Sequence, residues 1–537
     1  MSADLLARCA RAGIAAEYDD IEGRRRTVPE SALAALLEEL DDAPPATLPA
    51  LPAPGRCWDA PLGRVWGPSV QLYALRSARN WGVGDFGDLA ALIEWAAARG
   101  AALVGVNPLH ALFAHNPAHC SPYSPSTRLF WNALYLDVEA LPEFSASPAA
   151  RALAASAPFR ARLARLRAAP LVDYSGVAAA KAEVLRLAYA HFRDRHLVPG
   201  TPLADEFERF RSDDLRHHAT WEARAAGQAD AGYYEYLQWR VDTQIAHCAE
   251  RAAALGMPIG LYLDIAVSVD RAGSEVAAHP ELFARRASLG APPDAFNPRG
   301  QDWGLPPPRP DRMRAGGYAL FRRTLAANMR HAGAIRIDHV MQLARLYWVP
   351  AGFAATEGAY VQYPLEELMA VLAEESRRHR CMVIGEDLGT VPPQVREAMA
   401  RAGIPGMRLL RFERRADGVF VAPQDYPREA LAALGTHDMP TLAGWLGDPA
   451  FAADRAALAA ALGAPPDAEN VHAYLAATPC RIMLLQPEDA LGVAEAWNVP
   501  GTTDEHPNWR RKLPLAVEDF ARSARLERVV QAIRARR

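Results

Sequence analysis

Eight short apolar runs, each bounded by glycine, proline or a polar cluster, constrain this chain more than any other feature. They lie at 70–75, 102–106, 259–263, 334–337, 382–384, 407–412, 432–434 and 481–485. Between several of them the period changes to that of a helix. Over 364–379, for instance, a proline and two glutamates open the segment, Leu365, Leu368, Met369 and Leu372 share one face, and arginines with a histidine close it. Strand alternating with helix implies a parallel sheet. Eight repeats predict a closed α/β architecture, the (β/α)8 TIM barrel, with an open doubly wound sheet as the alternative.

Two regions depart from that rhythm. The gap between the second and third runs, roughly 110–250, is too long for one connection and carries its own helical patterns at 150–168, 177–195 and 233–251. It reads as an inserted, largely helical subdomain, and long insertions on a barrel usually wall its C-terminal face. The first forty residues read as helical, with Leu33, Leu36, Leu37 and Leu40 at helical spacing behind Pro29, Glu30 and Ser31. From 41 to 61 the chain is rich in proline and loses periodicity, which marks a linker or a stretch wrapped over another surface. The expected division is a short helical segment with its linker at 1–55 and a catalytic barrel at 56–537.

Composition narrows the class. With 537 residues, 50% of them hydrophobic and 23% charged, the chain can bury a large core. A net charge of -4 without a basic patch gives no reason to expect a nucleic acid or an anionic membrane as partner. The start lacks the charged-then-apolar order of a secretory signal, and no apolar run approaches the roughly 20 residues of a membrane helix, so a cytoplasmic protein is expected. Cys9, Cys57, Cys120, Cys248, Cys381 and Cys480 show no paired spacing, which suits reduced structural thiols rather than a disulfide framework or a zinc site.

The fourth run carries charge where a buried strand should not. In Ala334-Ile-Arg-Ile-Asp338, residues two apart share a face, so Arg336 and Asp338 point one way while Ile335 and Ile337 point the other. One reading is an internal ion pair closing a core, since buried charge is costly unless paired. The other comes from the barrel, whose catalytic groups sit at the C-terminal ends of strands. Glu386 ends the fifth run, and Asp438 follows the seventh. Paired carboxylates at a barrel mouth permit glycosidic bond chemistry, one acid protonating the leaving oxygen while the other attacks the anomeric carbon or activates water. A metal site built from these acids and His437 is the competing reading, which Arg336 opposes by its charge.

The residues also carry a family pattern over nearly the whole chain. Ser121-Pro-Tyr-Ser-Pro125, Gly260-Leu-Tyr-Leu-Asp264, Gly300-Gln-Asp-Trp-Gly304, Arg336-Ile-Asp-His339, Gly385-Glu-Asp-Leu-Gly389, Thr436-His-Asp438 and Asn498-Val-Pro-Gly-Thr-Thr-Asp-Glu-His-Pro-Asn-Trp509 resemble the motifs of the 4-alpha-glucanotransferases of glycoside hydrolase family 77, the amylomaltase group. The resemblance implies Asp338 as nucleophile, Glu386 as general acid and base, Asp438 as transition-state stabiliser and Arg336 as helper. It implies transfer of an α-1,4-glucan segment from a malto-oligosaccharide to another glucan with retained configuration, no cofactor and no metal, in a monomer or homodimer. A glucan hydrolase is the nearest alternative, and a catalytically silent glucan-binding protein the one from another class.

Other candidates carry two readings each. Trp303 is a hydrophobic plug or a platform for sugar rings, with Gln301 beside it. Tyr123 lies among prolines and serines, off any periodic face, and the resemblance makes it a sugar contact. Asp264 caps a turn or lines a substrate groove. His110 is ambiguous, whereas His339 and His437 each adjoin a catalytic carboxylate and are assigned to the site. Longer family members carry β-rich modules before the barrel that are not expected here. The last helical pattern, 517–537, is expected to leave no room for the C-terminal β-sandwich of related amylases.

Overall fold

The computed structural model describes residues 2–20, 23–40, 55–198, 200–294, 297–502 and 505–537. Most of the proline-rich stretch at 41–61 lies outside them. Eight parallel strands close a barrel: β1 (Val65–Val70), β2 (Leu103–Val106), β3 (Gly260–Ile265), β4 (Ala334–Ile337), β5 (Met382–Gly385), β6 (Gly406–Leu409), β7 (Ala430–Ala433) and β8 (Ile482–Leu485). They pair in chain order, and Ile482↔Val65 to Leu485↔Pro68 joins the last to the first. The open sheet is thereby excluded.

Alternation divides each strand between two cores. Leu103, Tyr262, Ala334, Met382, Met407, Leu431 and Ile482 fill the barrel interior. Val104, Leu261, Ile335, Val383, Ala432 and Met483 face the surrounding helices. Each leucine, isoleucine, valine and methionine among them contributes about 1.5–3 kcal/mol if fully buried.

The first strand lies five residues ahead of the run at 70–75, and Leu72–Ala74 is a single 3-10 turn. Gly67 and Pro68 read as breakers in sequence, yet here the barrel needs the glycine. A Cβ on Gly67 would stand 2.1 Å from the Leu103 carbonyl oxygen, so β2 can approach only a residue without a side chain. The sixth run also overshoots, because Leu410–Phe412 is a 3-10 turn beyond β6. The seventh strand begins two residues before its run, at Ala430.

Between β2 and β3 the described residues form seven α-helices, including Tyr174–Arg195 and Gly232–Ala254. The single helix expected at 150–168 is two, Pro148–Ala155 and Ala157–Ala168, broken at Ser156 with Pro158 in the first turn of the second. Segments after β3 and β4 build a four-stranded antiparallel sheet from Ala287–Ala291, Gln301–Asp302, Arg345–Pro350 and Ala359–Gln362.

The N-terminal residues dock on that sheet. Ile14 bridges Val361, and Tyr18 meets Tyr347 and Tyr360 edge-on at 5.7 and 5.5 Å. This segment is not wholly helical: a hairpin, Glu17–Asp19 against Arg25–Thr27, separates helices Ala3–Ala12 and Glu30–Leu37. Its short charged strands lack apolar alternation and are joined by Arg25 to Glu17 and Asp19 at 3.0 and 3.2 Å. At the other end the expected helix over 517–537 opens as a 3-10 turn, and Ser523 caps the helix Ala524–Arg534. Among the described residues no helix is long and apolar enough to cross a membrane.

Replacing Gly67 by alanine should force β1 and β2 apart and cost about 1–3 kcal/mol. A lowered midpoint in thermal or urea unfolding, with no comparable loss for the unobstructed Gly63→Ala, checks this.

Candidate active site

Strand register brings the first charges together. Arg336 stands opposite Asp264 on β3 and Ile384 on β5, facing into the mouth of the barrel with only 7% of its surface exposed. Its Nη1 donates to both oxygens of Asp264 at 2.7 and 2.8 Å. Its Nη2 reaches Asp338 Oδ1 at 2.8 Å and Glu386 Oε2 at 3.9 Å. A buried guanidinium is tolerable only when paired in this way. The two carboxylate oxygens therefore lie no farther apart than those two lengths laid end to end. That bound is compatible with the about 5–5.5 Å carboxyl spacing of retaining enzymes.

The turn after β4 aims a backbone donor at the second acid. His339 adopts φ 50° and ψ 62°, a left-handed conformation that costs a residue with a side chain about 1–3 kcal/mol. In return its N–H donates to Glu386 Oε2 at 2.7 Å, while Leu388 N–H donates to Oε1 at 3.1 Å.

Burial pushes the Glu386 carboxyl up to about 8; Asp338 adds to the shift, while Arg336 and the two backbone donors oppose it. Burial also pushes Asp338 above the usual aspartate range, with Arg336 opposing and Asp264 reinforcing. The nearer guanidinium nitrogen contact belongs to Asp338, which favours the ionised form there more than on Glu386. Burial pushes His339 down to about 4, reinforced by Arg345 and Arg336, so its ring is neutral.

The third acid comes from the loop after β7 and is half-buried, its side chain 45% exposed. Asn498 Nδ2 donates to Asp438 Oδ1 at 2.6 Å, and His437 Nε2 lies 3.3 Å from Oδ2. Partial burial pushes the Asp438 carboxyl up, but His437 and Asn498 outweigh it and hold the group below its usual range. Tyr123 stacks on His437 at 4.2 Å, and Trp509 leans against both rings at 5.4 and 5.3 Å. The Tyr123 hydroxyl donates to Asp264 Oδ2 at 2.7 Å and lies 3.0 Å from His437 Nδ1. Asp264 thus ties the Arg336 guanidinium to the aromatic wall.

These groups border a cavity of about 1580 Å³, beyond the about 300–1,000 Å³ of ordinary small-ligand pockets. Asp338, Glu386, Asp438, His339, His437 and Tyr123 line it, as do Gln301 and Trp303. Trp303 is held in place: its indole N–H donates to Gln301 Oε1 at 3.2 Å, and its ring meets His339 edge-on at 5.5 Å. Asp264 and Arg336 sit behind this lining, both buried, and act on it through their partners. The guanidinium fills the space between Asp264, Asp338 and Glu386 where a cation would otherwise be held. His110 is buried in the core, where its Nε2 accepts the Ala266 N–H at 3.2 Å. Sequence reading did not single out Asn498 or Trp509, although both end residues of their motif face the cavity. Within that motif, 503–504 lie outside the described residues.

Comparisons with known proteins agree with one another. The family model described as 4-alpha-glucanotransferase matches residues 70–229 and 213–517. A 4-alpha-glucanotransferase of Haemophilus influenzae is 37% identical over 534 residues, covering 84% of this chain and 76% of that protein. One from Mycobacterium tuberculosis is 36% identical over 559 residues, covering 88% and 75%. Among solved structures, amylomaltase from Corynebacterium glutamicum superposes with a TM-score of 0.86 at 27% identity, over 98% of this chain and 99% of that one.

If Glu386 holds the proton, the infrared difference between this protein and Glu386→Gln should contain a protonated-carboxyl band that disappears as pH rises through about 8, the bands of other buried acids such as Glu222 cancelling. A difference spectrum without that band would assign the proton elsewhere.

Proposed function

We infer the chemistry of this site from one premise: the chain belongs to the 4-alpha-glucanotransferase family, glycoside hydrolase family 77. It is a transglycosylating enzyme of malto-oligosaccharides and α-glucans. In our reading Asp338 attacks the anomeric carbon while Glu386 protonates the departing glycosidic oxygen, leaving the donor segment bound covalently to Asp338. Glu386, now ionised, takes the proton from the 4-hydroxyl of the acceptor glucan, which displaces Asp338 with a second inversion. Configuration is retained over the two steps. Asp438 faces the positive charge that develops at the anomeric centre, and its ionised state suits that task.

The observation that carries this reading is the Arg336 Nη2 contact at 2.8 Å to Asp338 and 3.9 Å to Glu386. One cation close to one acid and farther from its neighbour gives the nucleophile its charge and leaves the donor its proton. The remaining residues have supporting parts: Tyr123, His437, Gln301 and Trp303 bind sugar, His339 orients Glu386, and Asp264 orients Arg336. Transfer prevails over hydrolysis to the extent that an acceptor glucan excludes water from the closed cavity.

Incubation with maltotriose should yield glucose together with oligomers longer than the substrate, whereas only shorter products would make the protein a hydrolase. Asp338→Asn should reduce turnover by about 10⁴-fold or more. An unchanged rate would remove Asp338 as nucleophile. Because the donor form of Glu386 is lost above its raised value of about 8, kcat/KM should fall on the alkaline side of that pH. A profile flat to well beyond it would contradict the assignment.

A further inference from the structure

Beyond β8 the chain turns through Gln486 into a short helix, Pro487–Leu491, that brings two adjacent acids into the protein interior. Glu488 and Asp489 are 4% and 1% exposed. Among the described residues, neither forms an ion pair, and each keeps one buried oxygen, Glu488 Oε2 and Asp489 Oδ2, without a hydrogen-bond partner. Burial raises the Glu488 carboxyl to about 7 and Asp489 well above its ordinary value. Two uncompensated acids side by side are an expensive way to fill a core. Their other oxygens show what they hold.

Asp489 Oδ1 accepts the Leu442 N–H at 2.6 Å, and Gln486 Oε1 accepts the Gly435 N–H at 3.2 Å. These donors bracket the loop that carries His437 and Asp438, so one short segment holds it at both ends. Thr441 Oγ1 adds a bond to the Val493 carbonyl at 2.6 Å. Glu488 Oε1 accepts the Trp497 indole N–H at 2.8 Å, and the next residue, Asn498, donates to Asp438 Oδ1 at 2.6 Å. Three side chains within four residues therefore fix both the loop that bears the third carboxylate and the amide that orients it.

We propose that Gln486, Glu488 and Asp489 form a positioning cradle for Asp438, with Glu488 acting through Trp497 and Asn498 and Asp489 acting through the backbone of Leu442. The inference rests on the role given to Asp438 above. Its working parts are acceptor oxygens, so an amide can replace either acid while an alkyl group cannot. None of the three lines the cavity.

Kinetics of maltotriose disproportionation test it. Trp497→Phe keeps an aromatic ring in the core, though a smaller one, and removes the donor to Glu488; kcat should fall about tenfold to a hundredfold, the scale expected when a reacting group is displaced. In an Asp438→Asn background the same change should cost less than about twofold, because the group whose position it sets has already lost its function. Asp489→Leu should lose activity and Asp489→Asn should restore it, since the amide oxygen still accepts from Leu442. The Trp497→Phe comparison decides the matter even where Asp489→Leu fails to fold. Full activity in Trp497→Phe, or an equal loss in both backgrounds, would overturn the cradle while leaving the role of Asp438 intact. A fully active Asp438→Asn would overturn that role and the cradle with it.

Discussion

A single guanidinium determines how the barrel mouth can hold its acids. Asp264, Asp338 and Glu386 converge from the ends of β3, β4 and β5, and all three would repel in a site sheltered from water. Arg336 rises between them from the interior face of β4, its Nη1 shared between both oxygens of Asp264 and its Nη2 ion-paired with Asp338. Removing one partner of such a buried group leaves the others uncompensated, at about 3–5 kcal/mol. The asymmetry of its contacts, 2.8 Å to one acid and 3.9 Å to the other, favours ionisation of Asp338 over that of Glu386. Two chemically similar groups can then have opposite tasks.

Around that centre, the structure spends stability on orientation. His339 accepts a left-handed backbone to point its N–H at Glu386. Glu488 and Asp489 are buried and, among the described residues, pair with no cation, and their acceptor oxygens hold the two segments that meet at Asp438. Tyr123 is bonded to Asp264 while its ring lies on His437, so the aromatic wall and the charge network share a member. Each arrangement violates a local preference and has a neighbour that uses the result.

The sequence reveals those parts that strand periodicity governs. Two-residue spacing is enough to place Arg336 and Asp338 on one face of β4, and an acid closing an apolar run is enough to bring Glu386 to the rim. It also supports the closed barrel, because eight strand-helix units leave few alternatives. Contacts between loops have no such period. Nothing in spacing says that Asn498 meets Asp438, or that Tyr123 stacks on His437 more than three hundred residues away. The first strand was misplaced because the glycine that permits its close pairing with β2 has the same local signature as a turn. The N-terminal hairpin escapes because its three-residue strands gain their place from the sheet they dock on, not from a pattern of their own.

The account turns on Asp338 being the group that takes up the sugar. The most direct measurement uses a Glu386→Gln variant with a maltosyl fluoride donor, whose leaving group needs no acid to depart. With deglycosylation slowed by the missing base, mass spectrometry of the digested protein should find the sugar on the peptide that contains Asp338. An adduct on any other carboxylate, or inverted product released with no adduct, would contradict it.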